Sequence, residues 1–245
     1  MNWNWKNLRE HGPERAEERG AEERGAGADA FAEKRAAMVE KQIRRRGVTD
    51  AAVLEAMRSV PRHEFVAEQT QAQAYEDGPL PIGGGQTISQ PYMVGVMTAA
   101  LGLKPTDRVL DVGTGSGYQA AVLSRIAQEV YAVEVREDLC GEAKQRLERL
   151  GYGNVHVFCR DGTLGLAEFA PYDAILVAAA APAVPEPLLE QLAEGGRLVI
   201  PVGDAGYQEL ELVRRSGGRL ERKRLDACQF VPLIGYHGWP QPPPR

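Results

Sequence analysis

Three acidic residues stand at or near the ends of predicted β-strands. Asp111 lies in the β-branched run RVLDV, Glu134 belongs to VYAVEV, and Asp161 follows VHVFC. Because the carboxyl ends of parallel strands meet at one edge of a sheet, we expect the three carboxylates to share one crevice. Carboxylates accept hydrogen bonds from hydroxyl and amino groups and attract cations. Their positions therefore predict a pocket for a nucleoside ligand.

The turn after RVLDV carries glycines at positions 113, 115 and 117 of VLDVGTGSG. Glycine permits a tight strand-to-helix reversal and a close approach of a ligand to the backbone. A dinucleotide-binding G-x-G-x-x-G loop would need glycine where Tyr118 stands, and Asp111 would repel a pyrophosphate. S-adenosylmethionine suits the loop better, because its sulfonium and α-ammonium groups are cationic. Tyr118 therefore also argues against a nicotinamide oxidoreductase.

Each of these signals has a structural alternative. A glycine-rich turn can simply begin a helix, Glu134 can be a surface residue at a strand end, and Asp161-Gly162 is a common turn dipeptide. Their joint order and spacing favour the cofactor pocket over these alternatives.

Short strands alternate with helices through the middle of the chain. The strand runs are RVLDV, VYAVEV, VHVFC, DAILVA and RLVIPV, and helical segments are predicted near residues 118–127, 138–150 and 185–192. This alternation predicts an α/β fold with a mostly parallel sheet and helices on both faces. After Pro201, the runs QELELVRR, RLERKRLDA and CQFVPLIGY predict an antiparallel C-terminal edge.

The first 90 residues divide into three parts. Residues 1–30 repeat AEERG, contain few apolar residues and are predicted to form a flexible charged extension. An amphipathic helix is expected from Phe31 to Arg46, and a second from the N-cap Asp50 to Met57. In the segment 77–91, DGPLPIGGGQTISQP, proline and glycine are expected to exclude regular structure over most of its length. Such long irregular segments are usually functional.

Composition excludes several partners and sites. A net charge of −5 gives no general attraction to nucleic acid or membrane. No apolar run is long enough to cross a bilayer, and the N-terminal residues lack the apolar part of a signal peptide, so a cytoplasmic location is expected. The four histidines form no ligand pair, and no metal is expected. The three cysteines, with no C-x-x-C spacing, are expected to be reduced, buried and apolar.

These residues resemble the protein-L-isoaspartate (D-aspartate) O-methyltransferases, over nearly the whole chain after Phe31. The resemblance is carried by PLPIGGGQTISQPYM, VLDVGTGSGYQAAVL, Glu134, Asp161-Gly162, PYDAILVAAA, GGRLVIPVG and FVPLIG, of which TISQPYM is the most specific. It implies a Rossmann-like fold typical of S-adenosylmethionine-dependent methyltransferases. Residues 31–245 would form one methyltransferase domain with N-terminal helices and C-terminal substrate-binding strands.

The resemblance also implies an activity and a set of site residues. The chain would transfer a methyl group from S-adenosylmethionine to the free carboxylate of L-isoaspartyl and D-aspartyl residues in damaged proteins, leaving S-adenosylhomocysteine. Ser89 would be the active-site serine. Asp111 and the glycines would bind the methionine part, Glu134 the ribose, and Asp161 with Gly162 the adenine. The implied donor-binding residues are Gln86, Thr87, Ile88, Ser89, Asp111, Gly113, Gly115, Gly117, Glu134, Asp161 and Gly162, and the implied substrate-binding residues are Ile82, Val231, Pro232 and Leu233.

Several alternatives stay open at this point. Ser89 could instead cap the helix that begins at Pro91. A methyltransferase of small molecules would share the donor pocket, and a non-catalytic S-adenosylmethionine-binding protein could use the charged extension as a contact arm. Val94 stands where some family members have a histidine, and valine cannot make a polar contact to the donor from this position. The oligomeric state is not predicted.

Overall fold

The computed structural model describes residues 31–240 of the 245-residue chain. The predicted charged extension, residues 1–30, lies outside the described residues. In the described part, no helix combines the length and the apolar character needed to span a bilayer.

Three N-terminal helices pack beside the sheet. Helix α1 occupies residues 31–46, passing from α-helix into a π-helical turn, Val39–Ile43, and a 3₁₀ turn, Arg44–Arg46. Helix α2 is Ala51–Ser59, and Asp50 caps it by accepting a hydrogen bond from the Val53 N–H at 3.1 Å. The predicted N-cap is therefore confirmed. Helix α3 is Pro91–Leu101, with proline in its first turn, where a missing N–H costs nothing.

A short hairpin precedes α3. Its strands β1 (Leu80–Gly83) and β2 (Gln86–Ile88) pair antiparallel. The expectation of an irregular segment at residues 77–91 is wrong at this hairpin. Glycines 83, 84 and 85 take φ values of 97°, 57° and 72°, so the glycines that suggested irregular backbone in fact build the turn.

The centre of the molecule is a seven-stranded sheet in the order β5-β4-β3-β6-β7-β8-β9. The first five strands in this order are parallel, and β8 and β9 add antiparallel. The mostly parallel sheet with an antiparallel C-terminal edge is thereby confirmed. The strands are β3 (Arg108–Val112), β4 (Glu129–Glu134), β5 (Val155–Cys159), β6 (Tyr172–Val177), β7 (Leu192–Gly203), β8 (Gln208–Ser216) and β9 (Arg219–Cys228).

Helices cover both faces of the sheet, as predicted. The other α-helices are α4 (Tyr118–Ser124), α5 (Glu137–Arg149) and α6 (Glu186–Glu190). Short 3₁₀ helices occupy Arg62–Phe65, Glu68–Gln73, Gly162–Leu164 and Ala167–Phe169. Residues of α3 and α4 pack with Val109 and Val130 on one face, while Leu188 and Leu189 of α6 share a core with Leu110 and Val133 on the other. Central strands buried on both faces explain the continuous apolar runs in the sequence.

The C-terminal segment departs from the predicted third additional strand. Residues 229–240 make only isolated bridges, between Pro232 and Ala180 and between Ile234 and Trp239. Proline lacks the N–H that a regular ladder requires, which limits pairing here. The CQFVPLIGY run is therefore not a strand beyond Cys228.

Strand β9 forms one edge of the sheet and is exposed along most of its length. Its solvent-facing positions are mainly charged, namely Arg219, Glu221, Arg222, Lys223, Arg224 and Asp226.

The cysteines also correct an expectation. Cys140, at the start of α5, and Cys159, at the end of β5, form a disulfide. Cys159 is exposed, whereas Cys140 is buried. The expectation of unpaired, buried cysteines is wrong for this pair, because the packing of α5 on β5 brings together residues that are 19 positions apart.

Candidate active site

A cavity of about 220 Å³, the strand-end cavity, lies at the carboxyl ends of β3, β4 and β6. The strand order reverses between β3 and β6, which is where open α/β sheets bind their ligands. The cavity is lined by Ile82, Gly84, Gln86, Thr87, Val112, Gly113, Gly115, Val133, Glu134, Val135, Arg136, Gly162, Ala178, Ala179, Val231, Pro232, Leu233 and Ile234.

The glycine-rich turn forms part of this lining. The N–H groups of Gly113 and Thr114 donate to the Val133 carbonyl at 2.8 and 3.1 Å, which fixes the turn on the end of β4. Gly113 and Gly115 line the cavity with φ values of 79° and 54°. Gly117 does not line it; a Cβ there would lie 3.1 Å from the Leu147 side chain, so this glycine serves the packing of α4 on α5.

Glu134 is oriented by two backbone groups. Its Oε2 accepts from the Gly115 N–H at 2.9 Å, and its Oε1 accepts from the Arg136 N–H at 3.0 Å. The residue lines the cavity although it is only 6% exposed. Each carboxylate oxygen has a further lone pair, so the group can also accept from two neighbouring hydroxyls of a ligand.

Asp111 is fully buried and does not line the cavity. Its Oδ2 accepts from the Thr114 hydroxyl at 2.7 Å, while its Oδ1 is buried with no hydrogen-bond partner among the described residues. Burial raises the pKa of Asp111 to about 7. The Thr114 hydrogen bond lowers this pKa, and the nearby Glu134 charge raises it by a smaller amount. Because this pKa is close to neutral pH, a cation bound nearby would favour the ionised carboxylate and be attracted to it.

Asp161 and Gly162 differ in position relative to the cavity. Gly162 lines the cavity, and a Cβ there would come within 2.6 Å of Val112, so only glycine fits. Asp161 does not line it. Its Oδ1 accepts from the Thr163 N–H and hydroxyl at 2.8 and 2.7 Å, and its Oδ2 accepts from the Tyr236 N–H at 2.7 Å.

The β1–β2 hairpin covers the strand-end cavity. Ile82 lies against Gly115, since a Cβ on that glycine would be 3.0 Å from its Cδ1. Gly84 lies against Arg136, because a Cβ at this position would be 2.6 Å from the guanidinium. Gln86 and Thr87 complete this wall, whereas Ile88 is 4% exposed and packs in the core. Ile82 is thus placed with the donor residues predicted from the sequence.

A second cavity of about 540 Å³, the Ser89 cavity, lies beside the first. Thr87, Ala178 and Val231 line both cavities and form the boundary between them. The N-cap of α3 is Gln90, and no side chain caps this helix, so Ser89 does not have the capping role. The lining residues are Arg46, Pro79, Thr87, Ser89, Gln90, Tyr92, Met93, Ala178, Asp226, Ala227, Cys228, Gln229, Phe230 and Val231.

Polar groups surround the mouth of the Ser89 cavity. The Arg46 guanidinium lies 3.5 Å from the centre of the Tyr92 ring and 3.0 Å from Asp77, which also accepts from Gln90 at 2.9 Å. Burial raises the pKa of the Cys228 thiol to about 11, so it is protonated and a poor nucleophile at neutral pH. Among residues 31–240, no three His, Cys, Asp or Glu side chains come together as a metal site.

The C-terminal segment contributes to both cavities. Ala180 N–H donates to the Val231 carbonyl and Leu233 N–H donates to the Ala180 carbonyl, both at 2.8 Å. These bonds hold the segment along the end of β6. Of the residues predicted to bind substrate here, Val231 reaches the Ser89 cavity, and Pro232 and Leu233 line only the strand-end cavity.

Some lining residues were not predicted from the sequence. Arg136 lies two positions after Glu134, and Ala178 and Ala179 directly follow β6. Knowledge of the strand order would have predicted both positions, because β4, β3 and β6 are neighbours in the sheet. Arg46 comes from the distant helix α1, and no local pattern marks it. Val94 is 1% exposed in the core and does not line the strand-end cavity.

Comparison with known proteins gives a consistent result. Residues 33–238 match the family described as Protein-L-isoaspartate(D-aspartate) O-methyltransferase. Over 208 residues the chain is 59% identical to Protein-L-isoaspartate O-methyltransferase 2 of Pelobacter propionicus, covering 84% of this chain and 92% of that protein. It is 56% identical over 209 residues to Protein-L-isoaspartate O-methyltransferase of Roseiflexus sp., covering 85% and 95%.

Solved structures show the same likeness. A protein-L-isoaspartate O-methyltransferase superimposes with a TM-score of 0.76 and 33% identity, covering 84% of this chain and 67% of that one. A putative protein-L-isoaspartate O-methyltransferase from Plasmodium falciparum, in complex with S-adenosyl-L-homocysteine, gives a TM-score of 0.71 and 28% identity, covering 82% and 98%.

Proposed function

The chain belongs to the protein-L-isoaspartate(D-aspartate) O-methyltransferase family, and we propose that its strand-end cavity binds S-adenosylmethionine while its Ser89 cavity receives an isoaspartyl carboxylate. The chain is an S-adenosylmethionine-dependent methyltransferase acting on isoaspartyl residues of proteins. The assignment of one ligand to each cavity is supported by one observation. Thr87, Ala178 and Val231 line both cavities, so the two ligands would meet at this boundary.

The residues of the strand-end cavity fit this donor. Glu134 presents a carboxylate to ribose hydroxyls, and Gly113 and Gly115 leave room for the methionine part. The unpartnered Oδ1 of Asp111 provides negative charge close to the glycine turn. Two carboxylates would repel the pyrophosphate of a nicotinamide dinucleotide, whereas they attract the cationic groups of this donor.

Ser89 is the proposed catalytic residue. Bound S-adenosylmethionine supplies a methyl group attached to a positively charged sulfur. The acceptor is a carboxylate with an ordinary pKa of about 3.5, so it is ionised at neutral pH and needs no general base. The Ser89 hydroxyl would donate a hydrogen bond that orients the acceptor oxygen toward the boundary with the strand-end cavity. Such positioning is worth up to about 7 to 11 kcal/mol in well-oriented systems.

The Ser89 cavity favours a peptide over a small molecule. Its lining comes from α1, the hairpin, α3, the end of β9 and the C-terminal segment, and its volume of about 540 Å³ is larger than the 220 Å³ of the strand-end cavity. We therefore propose isoaspartyl-containing proteins and peptides as acceptors, repair of damaged proteins as the outcome, and no nucleic-acid or membrane partner.

A cytoplasmic location stays a prediction. The Cys140–Cys159 disulfide weighs against it, because disulfides are rare in reducing compartments.

Transfer of a tritiated methyl group from S-adenosylmethionine to an isoaspartyl peptide tests the proposal. The matched control is the same peptide with a normal aspartyl linkage. We expect label in the isoaspartyl peptide alone, released as methanol when the neighbouring backbone nitrogen attacks the methyl ester and closes a succinimide. Equal labelling of both peptides, or labelling of a small carboxylic acid but of neither peptide, would contradict the proposal.

The Ser89→Ala variant tests the role of the serine. Loss of one hydrogen bond to a charged acceptor should lower kcat by about 10-fold to 100-fold. Binding of S-adenosylhomocysteine should stay within about twofold of the unmodified chain, because Ser89 does not line the strand-end cavity. Ser59→Ala, which removes a hydroxyl from α2 outside both cavities, is the control. Unchanged turnover of Ser89→Ala would refute the role.

A further inference from the structure

Residues 229–239, the C-terminal strap, pass along both cavities. Gln229 to Val231 line the Ser89 cavity, and Val231 to Ile234 line the strand-end cavity. The strap has no regular secondary structure beyond isolated bridges, so its position depends on individual contacts. Whatever fixes the strap therefore also fixes a wall of the donor pocket.

The far end of the strap is held by the turns that follow β5 and β6. Tyr236 N–H donates to Asp161 Oδ2 at 2.7 Å, and His237 N–H donates to Thr163 Oγ1 at 3.1 Å. The indole N–H of Trp239 donates to the Ala180 carbonyl at 3.0 Å. Since these contacts follow Ile234 directly, they act on the part of the strap that lines the strand-end cavity.

Thr163 is the centre of this anchor. It is 0% exposed and lines neither cavity. Its hydroxyl donates to Asp161 Oδ1 at 2.7 Å and accepts from His237 N–H, so one side chain links the β5 turn to the strap. The strap glycines allow a close fit. A Cβ on Gly235 would overlap the Asp161 carboxylate, and one on Gly238 would overlap the Leu233 carbonyl and lie 3.2 Å from Thr163 Cγ2.

The anchored carboxylate keeps capacity for a ligand. A carboxylate offers about four acceptor positions. Three at Asp161 are filled by the Thr163 N–H, the Thr163 hydroxyl and the Tyr236 N–H. One position on Oδ2 has no partner among the described residues, and although Asp161 does not line the cavity, the adjacent Gly162 does.

We infer that Thr163 is a positioning residue for donor binding: its hydroxyl fixes the C-terminal strap and so sets the shape of the strand-end cavity. The identity of the donor in this inference rests on the proposed function. Because Thr163 touches neither cavity, its side chain acts on the donor through Asp161 and the strap.

A pair of variants isolates the hydroxyl. Thr163→Val keeps the shape of the threonine side chain and removes its hydroxyl, whereas Thr163→Ser keeps the hydroxyl and removes the methyl group. Losing one buried hydrogen-bonding group should weaken binding of S-adenosylhomocysteine about fivefold to tenfold in Thr163→Val. Thr163→Ser should stay within about twofold. At saturating donor and peptide, kcat should be nearly unchanged in both, so the effect falls on the donor KM.

Amide hydrogen exchange provides the readout that general destabilisation would not reproduce. Exchange at residues 231–239 should quicken in Thr163→Val and not in Thr163→Ser, with the strands of the sheet unchanged. His237→Pro, which deletes the same hydrogen bond from the strap side, should reproduce the weaker binding and guards against a folding defect of Thr163→Val.

Failure of this inference and failure of the proposed function give different results. Wild-type affinity in both Thr163→Val and His237→Pro, or equal weakening in Thr163→Ser and Thr163→Val, would overturn the inference. These measurements need no methyl acceptor, so failure of the unmodified chain to methylate the isoaspartyl peptide would count against the proposed function alone. Absence of S-adenosylhomocysteine binding by the unmodified chain would overturn both.

Discussion

The two cavities are built in different ways. The strand-end cavity is built mainly around the ends of β3, β4, β5 and β6 and the residues that directly follow them, and the hairpin and the C-terminal strap complete its lining. The Ser89 cavity joins α1, the hairpin, the start of α3 and the end of β9, which are far apart in the chain. The ends of neighbouring strands therefore form most of the proposed donor cavity, whereas elements distant in the sequence form the proposed acceptor cavity.

This difference predicts that the cavities can be damaged separately. Substitutions of residues that line only the strand-end cavity should weaken donor binding, and substitutions of residues that line only the Ser89 cavity should change peptide kinetics while donor binding persists. Thr87, Ala178 and Val231 are the exceptions, because they line both cavities.

The largest effect is expected at Glu134. Glu134→Gln removes the charge that accepts from the Gly115 and Arg136 N–H groups, and the new amide group faces one of these donors. The side chain is then misoriented and the two ribose hydroxyls lose a charged acceptor, so S-adenosylhomocysteine affinity measured by calorimetry should fall about 100-fold. Glu129→Gln, at the opposite end of β4, is the control and should bind normally. Similar affinity in both variants would remove Glu134 from the donor pocket.

The next effect concerns pH. Asp111, with its pKa of about 7, must be ionised to favour a cationic donor, and a bound cation lowers its pKa. Donor affinity should therefore rise with pH and be roughly tenfold weaker at pH 6 than at pH 8. Calorimetry with S-adenosylmethionine over this range measures it. A pH profile that is equally steep in Asp111→Asn would show that another group is responsible.

The same carboxyl group should affect stability with a defined sign. Its pKa in the folded chain is raised above the ordinary value of 3.8 to about 7. Its contribution to stability is therefore fully present below pH 3.8 and is lost as the pH rises toward 7. Asp111→Asn should lack this component in unfolding measurements across that window.

A smaller effect is expected in the Ser89 cavity. Phe230 lines this cavity and not the other, so Phe230→Leu should raise the KM for an isoaspartyl peptide about fivefold through lost aromatic contact area. Donor affinity should not change. Phe158→Leu, on β5 outside both cavities, is the matched control. Weaker donor binding in Phe230→Leu alone would break the distinction between the cavities.

The smallest effect on either cavity should follow reduction of the Cys140–Cys159 disulfide, since neither cysteine lines a cavity. Donor affinity should stay within about twofold. The free energy of unfolding should nevertheless fall by about 3 kcal/mol, because opening a loop of this length frees the unfolded chain. Denaturant melts with and without reductant test this, with Cys228→Ser as the control.

The sequence predicted the sheet well because its signals are local. Buried parallel strands give apolar runs. The strand end Glu134 and the turn residues Gly113, Gly115 and Gly162 line one cavity in the structure. The hairpin was missed because Gly83 to Gly85 serve a tight turn, which composition alone does not distinguish from an irregular loop.

Other features could not be predicted because they depend on tertiary packing. The contact between Gly84 and Arg136 needs the hairpin folded over the end of β4. The link between Thr163 and His237 spans 74 residues and depends on where the C-terminal strap ends. Pairing of Cys140 with Cys159 likewise requires the packing of α5 on β5.

The charges along β9 carry a consequence for an enzyme whose acceptors are damaged proteins. Damaged chains expose extended backbone, which readily adds to an open sheet border and can nucleate aggregates. The arginine, lysine and glutamate side chains of β9 disfavour that addition. The charged side chains of β9 therefore favour release of a partly unfolded acceptor protein from the proposed Ser89 site over its permanent addition to the sheet as an extra strand.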